Sequence, residues 1–221
     1  MLTRDRGMTF SELLIGLALG ALVMTAVLNS YIRLGDQSRF LITQARVYHD
    51  LDSLLSLMTH DIRRAGFWQN DNPALVRDNP FTGNMTNLNT GRYSNADPPA
   101  SCLTYSYDLN RDGLFNQGNS EFFGYRLRNG AVEMRTGGSD YNCRQGSWQK
   151  ITTARTIITG LSFAVTSKSV NPLSTTNNCS GNTCQQMRLV NISLTGYPDR
   201  HPDESVTLST VVLVRNNRVT G

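Results

Sequence analysis

The segment DLNRDGLFNQGN, from Asp108 to Asn119, carries oxygen-bearing side chains at alternate positions. Asp108, Asn110 and Asp112 stand at positions 1, 3 and 5 of the segment, and Gly113 follows at position 6. Side chains with this spacing can direct three oxygen ligands toward one centre, and a glycine permits the sharp turn of a calcium loop of the EF-hand type. The segment therefore predicts a structural Ca²⁺ site, in which the ion orders the loop and performs no chemistry.

Two features of this segment differ from an EF-hand. Position 12 is Asn119 and not a bidentate glutamate, so Glu121 from the next strand would substitute for it. The flanking residues have the pattern of strands and not of helices. Without calcium, the segment would be a solvated loop of Asx turns between two strands. The complete predicted ligand set, which includes one backbone carbonyl, is Asp108, Asn110, Asp112, Leu114, Asn119 and Glu121.

The four cysteines all lie C-terminal to the long apolar run of the chain. An even number of cysteines beyond a membrane segment indicates disulfide bonds formed in an oxidising compartment. Three pairings are possible. We favour Cys102–Cys143 and Cys179–Cys184, because the second pair closes the short polar loop CSGNTC. A zinc site is disfavoured, because the sequence contains no CxxC pair and only His201 lies near the cysteines.

The remaining polar residues do not indicate an enzyme or a nucleic-acid-binding protein. His49, His60 and His201 do not form a Cys/His or Ser/His/Asp arrangement with other residues, and no phosphate-binding glycine loop occurs. The formal net charge is +4, but the arginines are scattered along the chain. Without a Lys/Arg block, such a balance does not indicate nucleic-acid binding.

The N-terminal part of the chain has the length and composition of a membrane span. Residues 13–32 carry no charge, and a helix of that length, at about 1.5 Å per residue, crosses a bilayer core of roughly 30 Å. Arg4 and Arg6 precede the run. By the positive-inside rule, they place the N-terminus in the cytoplasm and the remainder of the chain outside.

A single carboxylate, Glu12, stands at the edge of this apolar run. An acidic group at a membrane edge normally has a partner, and no nearby residue of the same chain offers a cation. Cleavage after Gly7 would create one, the free amine of Met8. In a neighbouring copy of the helix, shifted along its axis, that amine could pair with Glu12 and set the stagger between subunits. Gly16 and Gly20 form a small-xxx-small pair that permits close approach of helices.

The helical pattern continues beyond the membrane edge. Apolar residues recur every seven positions, and two more complete a stripe on the later turns: Leu34, Leu41, Tyr48, Leu55 and Ile62, with Leu51 and Met58. This stripe predicts one nearly continuous helix from about Thr9 to about Ala65, whose second half packs on a globular domain. An anchor followed by an independent coiled coil is the alternative.

After Gly66 the sequence has the pattern of an antiparallel sheet. Residues 69–100 are rich in loop formers, with Phe81, Leu88 and Tyr93 as apolar contacts. Strand signals follow in CLTYSYD, in the hairpin EFFGYRLRNGAVEMR with its turn at Asn129-Gly130, and in GLSFAVTS, QMRLVNISLTG and SVTLSTVVLVRN. The predicted fold is α+β, a long N-terminal helix packed on an antiparallel β-sheet head domain.

The N-terminal residues carry a resemblance to known proteins. Gly7, the segment MTFSE that follows it and the run LLIGLALGAL resemble the class III signal of type IV pilins and type II secretion pseudopilins. The resemblance implies that a prepilin peptidase cuts after Gly7 and N-methylates Met8, and that Glu12 acts in subunit assembly. Met8 departs from the phenylalanine that is usual at this position.

Most of the remaining chain is similar to the PilW family of minor pilins and to the related PulJ/GspJ pseudopilins. The similarity is carried by DIRRAGFWQN, CLTYSYDLNRDG, EFFGYRLRNGAVEMR and TLSTVVLVRN. It implies the type IV pilin-like fold, with a cytoplasmic leader at 1–7, a pilin helix at 8–66 that crosses the membrane at about 13–32, and a periplasmic or extracellular head domain at 67–221.

The resemblance also implies a function, that of a minor pilin that primes type IV pilus assembly at or near the tip. It implies as partners the prepilin peptidase, the inner-membrane assembly platform, other minor pilins and the major pilin through their N-terminal helices, and a tip adhesin. The chain would reside in the inner membrane before assembly and on the pilus afterwards. The alternatives are a J-type minor pseudopilin of a type II secretion system and, in another class, a membrane-anchored periplasmic calcium-dependent binding module.

Overall fold

The computed structural model contains one long helix and nine strands among the residues that it describes. These residues are 7–70, 79–83, 88–115, 121–138, 141–172, 179 and 183–220, without the side chains at positions 36 and 220. The described chain divides into two compact units, Met1–Ala45 and Arg46–Gly221. Helix α1 (Phe10–Ile62) contributes to both units without interruption.

Helix α1 ends three residues before the predicted boundary at Ala65. Residues 63–66 form a turn, and Gly66 closes it with a φ of 75°, in the left-handed region that favours glycine. A side chain at this position would also meet the methyl group of Thr82 at 2.8 Å. The chain leaves the helix at Gly66, whose amide donates to the carbonyl of Ser106 at 2.8 Å.

The head contains two antiparallel sheets where the sequence analysis predicts one. The first sheet has the order β1 (Asn89–Gly91), β2 (Cys102–Ser106), β3 (Phe122–Arg128), β4 (Ala131–Gly137) and β5 (Ser147–Lys150). The second has β6 (Thr156–Val170), β7 (Cys184–Pro198) and β8 (Val206–Leu213) side by side, with β9 (Arg218–Thr220) also paired with β7.

Four short elements lack the alternating pattern by which the longer strands were predicted. They are β1, β5, β9 and a 3-10 helix at Pro80–Thr82. Strand β1 and the 3-10 helix lie inside the predicted loop at 69–100. Phe81 is buried and Leu88 nearly so, as predicted, while Tyr93 is half-buried. The predicted turn at Asn129-Gly130 joins β3 to β4, and φ values of 49° and 70° at its two residues suit a type I′ hairpin turn.

One core joins the two sheets to the last turns of α1. The helix contributes Leu51, Met58 and Ile62, the first sheet contributes residues such as Leu103 and Tyr125, and the second sheet contributes Val190, Ile192 and Leu194, among others. Two backbone hydrogen bonds also connect the second sheet to the loops of the first, from Phe163 to Ala100 and from Ile158 to Gly130, each 2.9 Å long.

The predicted helical stripe is buried only in part. Leu51, Leu55, Met58 and Ile62 are buried, but Tyr48 is 50 % exposed, and Val47 and Leu54 take places in the core that the prediction did not assign. Leu34 and Leu41 are more than 60 % exposed. No described residue of α1 before Val47 is buried on any face, so Leu34 and Leu41 lie outside the part of the helix that supplies the core.

Candidate functional site

Glu12 and Thr9 form a capping box at the start of α1. The amide and the hydroxyl of Thr9 both donate to Oε2 of Glu12 at 2.9 Å, and the amide of Glu12 donates to Oγ1 of Thr9 at 3.4 Å. Thr9 precedes the first helical residue, and Glu12 is the third residue of the helix, which is the spacing of this motif. The pattern T-x-x-E signals the motif in the sequence, but the sequence analysis did not use it. The carboxylate of Glu12 is thereby bound to Thr9, the residue that follows Met8.

The apolar segment of α1 is exposed in the isolated chain. Among the described residues, α1 is the one helix that is long and apolar enough to cross a membrane, and no residue of its most apolar window is buried. Gly16 and Gly20 line a shallow groove of this unit together with Met8 and Glu12. Large side chains such as Leu17 and Leu22 are 65 % and 66 % exposed, so this surface needs a bilayer or other helices around it.

The acidic loop brings together three of the predicted calcium ligands. Oxygen atoms of Asp108, Asp112 and Glu121 lie within 4.8 Å of one another. Asp108 and Glu121 are buried, and Asp112 is exposed. Carboxylate oxygens at such separations fit a sphere of ligands at the 2.3–2.6 Å typical of Ca²⁺, so the donor set suits calcium by its chemistry. Asn119, which was predicted as a ligand, lies outside the described residues.

Hydrogen bonds within the loop fix these carboxylates. Asp108 accepts from the amides of Arg111, Gln69 and Gly113 at 2.7, 3.0 and 3.1 Å. Asp112 accepts from the amide of Leu114 and from the side chain of Asn110, at 2.8 and 2.7 Å.

The loop also binds the segment that follows α1. The indole of Trp68 donates to the carbonyl of Gly113 at 2.7 Å, and the amide of Asp108 donates to the carbonyl of Phe67 at 2.9 Å. No pattern in the sequence relates residues 67–69 to residues 108–113, because the contacts arise between segments about 40 positions apart. The acidic loop is therefore a brace between the end of the helix and the first sheet.

The two disulfides have the pairs that the sequence analysis favours. Cys102 on β2 is bonded to Cys143, and Cys179 is bonded to Cys184 at the start of β7. The first bond ties the segment between β4 and β5 to the start of β2. The second joins Cys179, which lies between β6 and β7 in the sequence, to the first residue of β7.

The histidines do not form a catalytic group with the cysteines, since all four cysteines are in disulfides. His49, His60 and His201 are exposed. His201 lies 3.6 Å from the carboxylate of Glu204, three residues further along the same turn.

Comparison with known proteins gives two matches to protein families. Residues 40–214 match the family described as prepilin peptidase-dependent protein B, and residues 2–28 match the prokaryotic N-terminal methylation motif. A search of curated proteins and a search of solved structures found no match. The matched family covers most of the chain and consists of pilin-like structural proteins, but its description does not single out the PilW family.

Proposed function

The chain belongs to the prepilin peptidase-dependent protein B family, and we propose that within it the chain serves as a minor pilin of the PilW type. A protein with this family match and an N-terminal methylation motif has the role of a type IV pilin or pseudopilin. The proposal adds that this chain primes the assembly of a type IV pilus and remains at or near its tip. It supports pilus-dependent functions there, such as twitching motility, adhesion or DNA uptake, and it catalyses no reaction.

The observation that carries the proposal is the exposed apolar segment of α1 that begins directly after the motif Gly7–Glu12. Such a segment is stable in the inner membrane as a single span with the head in the periplasm. It is also stable in a bundle of similar helices, where neighbouring subunits replace the lipid. A subunit with this segment can therefore be moved from the membrane into a filament without refolding of its head.

In the proposed mechanism, the prepilin peptidase cuts after Gly7 and methylates the new amine of Met8. The assembly platform then brings the helix beside those of other minor pilins and the major pilin. Glu12 of one subunit pairs with the Met8 amine of the next, which offsets the desolvation of both charges and sets the axial stagger. A tip adhesin is the remaining proposed partner.

For the acidic loop, we propose a structural Ca²⁺ bound by Asp108, Asp112 and Glu121. The three carboxylates supply the hard oxygen ligands that Ca²⁺ prefers, and the ion would offset their mutual repulsion. Bound calcium would strengthen the brace between the loop and the residues after α1. The calcium ion would have this structural role alone and no catalytic role.

The experiment that tests the proposed function is the intact mass of the chain extracted from membranes with and without an active prepilin peptidase. The expected mass in the presence of the peptidase is that of residues 8–221 with one added methyl group and two hydrogens fewer for each disulfide. An uncut chain, or a cut beyond the apolar segment, would mean that the segment is only an anchor or an export signal. The calcium-dependent binding module would then be the better assignment.

Deletion of the gene distinguishes the two possible assignments of the chain, to a type IV pilus or to a type II secretion system. Loss of surface pili with normal export of secreted enzymes is the expected result. The opposite result would assign the chain to a type II secretion system as a J-type minor pseudopilin.

A further inference from the structure

A cavity in the unit Arg46–Gly221 is lined by four arginines that come from three separate parts of the chain. Arg63 and Arg64 follow the last turn of α1, Arg111 belongs to the acidic loop, and Arg215 follows β8. The cavity has a volume of about 370 Å³, and its other lining residues include His60 and Phe67. We call it the arginine cavity.

Backbone contacts hold these segments side by side. The amide of Arg215 donates to the carbonyl of Arg63 at 3.2 Å, and the side chain of Asn216 donates to the carbonyls of Arg64 and Ala65 at 3.2 and 3.3 Å. The amide of Arg111 is bound by Asp108. These contacts fix the backbone of the three segments, from which the exposed side chains of the four arginines extend.

The arginine cavity carries more positive than negative charge, because four arginines and one carboxylate line it. None of the four guanidinium groups forms a salt bridge with a described residue. Asp108 is the one carboxylate among the lining residues, and both of its oxygens already accept backbone hydrogen bonds. Four guanidinium groups that face one cavity repel one another, and an anionic ligand would remove this cost.

We propose that the arginine cavity binds the phosphate groups of a single-stranded nucleic acid. Guanidinium groups bind phosphate oxygens in a bidentate manner, and several of them along one groove can follow a phosphodiester backbone. The cavity also offers aromatic surface next to the cations. Phe67, which is half-buried, lines it, whereas the buried Tyr107 ring is already covered by the guanidinium of Arg64 and by Phe123. Bases stack on surfaces of this kind without regard to sequence.

An acidic segment of another protein is the competing ligand, and two observations favour the nucleic acid. The volume of about 370 Å³ is that of a site for a molecule and not for a single carboxylate. Arginines beside an aromatic side chain can bind a phosphate and a base of one nucleotide together, whereas a carboxylate binds only to the arginines. The inference concerns the head alone, so it holds whether the chain is assembled in a pilus or in a secretion system.

The test is a fluorescence anisotropy titration of a labelled oligothymidylate with the detergent-solubilised full-length chain. The test variant is R63Q/R215Q, because both side chains are exposed and neither forms a hydrogen bond or a salt bridge with a described residue. The control variant is R155Q/R200Q, which loses the same charge from exposed arginines outside the cavity. Circular dichroism and a free-thiol assay establish that each variant retains the fold and the disulfides.

The expected result is that R63Q/R215Q binds the oligothymidylate about tenfold more weakly, while R155Q/R200Q changes affinity by less than about threefold. The slope of log K against log salt should fall in magnitude by about 1.4 in the first variant, which corresponds to two lost contacts with a single strand. Replacing Phe67 by Leu should weaken binding further with no change in this slope, because stacking releases no counterions.

Three outcomes would overturn the proposal. One is equal weakening in the two double variants, which would mean that binding depends only on the net charge. A second is displacement of the oligothymidylate by an equal concentration of inorganic diphosphate, which would reduce the site to one for free phosphate. A third is the absence of oligothymidylate binding together with arginine-dependent binding of a polyglutamate peptide, which would assign the cavity to an acidic segment of a partner protein.

Discussion

Some side chains of this protein have two roles, one in local hydrogen bonding and one in a proposed binding or assembly site. Glu12 accepts hydrogen bonds from Thr9 within its own chain, and in the proposed filament it would also pair with an amine of a neighbour. Asp108 binds three backbone amides and in addition belongs to the carboxylate group that suits calcium. For such residues, a conservative substitution can remove one of the two roles and leave the other.

Glu12→Gln separates the charge of Glu12 from its capping role. Glutamine can still accept from Thr9, so the start of the helix is retained, but it cannot form an ion pair. We expect E12Q to stay in the membrane and to be incorporated into filaments several-fold less than wild type, as Glu12→Ala should be. Immunoblots of membranes and of sheared pili measure both quantities. Normal incorporation of E12Q together with poor incorporation of E12A would show that capping alone matters.

Removal of calcium tests the acidic loop. We expect the melting temperature of the detergent-solubilised chain to fall by several degrees in EGTA, because ligand binding to the folded state stabilises it by mass action. Asp112→Asn should abolish this difference with only a small effect in EGTA, since Asp112 is exposed and the amide oxygen can still accept from the amide of Leu114. Identical melting temperatures of wild type with calcium and with EGTA would refute the proposed site.

At the scale of elements, helix α1 has two parts with different surroundings. Its residues from Val47 onward pack on both sheets, whereas the large apolar side chains near its start are exposed in the single chain. The same helix thus supplies core residues to the head and an apolar surface for lipid or other helices. The boundary between the two compact units falls within α1, at Ala45 and Arg46.

Leu51→Ala and Leu41→Ala compare the two parts of the helix by the same chemical change. Leu51 is fully buried, so its truncation should lower the free energy of unfolding by about 2–5 kcal/mol. Leu41 is 61 % exposed, and its truncation should cost less than about 0.5 kcal/mol. Urea unfolding of the full-length chain in detergent measures both, and equal losses would contradict the packing described for α1.

The aromatic residues between α1 and the first sheet should make the head sensitive to alkali. Burial raises the pKa of Tyr107 to about 12, although the nearby Arg64 opposes the shift. Burial also raises the pKa of Tyr105, and it raises that of Tyr125, whose hydroxyl donates to Asp61 at 2.7 Å. The folded state therefore holds these protons more tightly than the unfolded chain does, in which a tyrosine has a pKa of about 10.

The stabilisation that follows from these shifts is fully present below about pH 10 and is lost as the pH rises toward about 12. We therefore expect the free energy of unfolding to fall across this interval, and to fall less steeply in Tyr107→Phe. Tyr48→Phe is the control, because Tyr48 is half exposed. The pH series of urea unfolding measures the slopes. Equal slopes in wild type and Y107F would mean that Tyr107 does not contribute.

At the scale of the whole molecule, each sheet of the head has its own disulfide. Cys102–Cys143 closes a separation of 41 residues in the first sheet, and Cys179–Cys184 closes one of 5 residues in the second. A longer closed loop restricts the unfolded chain more strongly, so the first bond should contribute more to stability. Disulfide bonds are typical of proteins in oxidising compartments, and the N-terminal motif fits a membrane-anchored pilin.

Replacing the cysteines pairwise by serine measures this difference. The C102S/C143S variant should lose about 4 kcal/mol of stability and the C179S/C184S variant about 2 kcal/mol, from the dependence of loop entropy on loop length. Thermal unfolding in detergent, with intact mass to verify the remaining bond, is the measurement. A greater loss in C179S/C184S would indicate that native-state contacts at the cysteines dominate over loop entropy.

The features that depend on neighbours along the chain could be predicted from the sequence. The charge-free run at 13–32, the motif from Gly7 to Glu12, the long helix and the alternating strands follow from local periodicity, and the family match agrees with them. The hairpin turn at Asn129-Gly130 was equally predictable, because its two residues tolerate positive φ. Short strands such as β1 and β5 were not, because three or four residues are too few for a periodic pattern.

The contacts between segments that are distant in the sequence could be found only from the tertiary structure. It divided the strands between two sheets, selected which side of α1 is buried, and closed the acidic loop onto the residues after the helix. It also gathered Arg63, Arg111 and Arg215 around one cavity, although they are scattered in the sequence. The physical reason is the same in each case. Long-range contacts depend on the summed burial of many side chains, which no short stretch of sequence specifies.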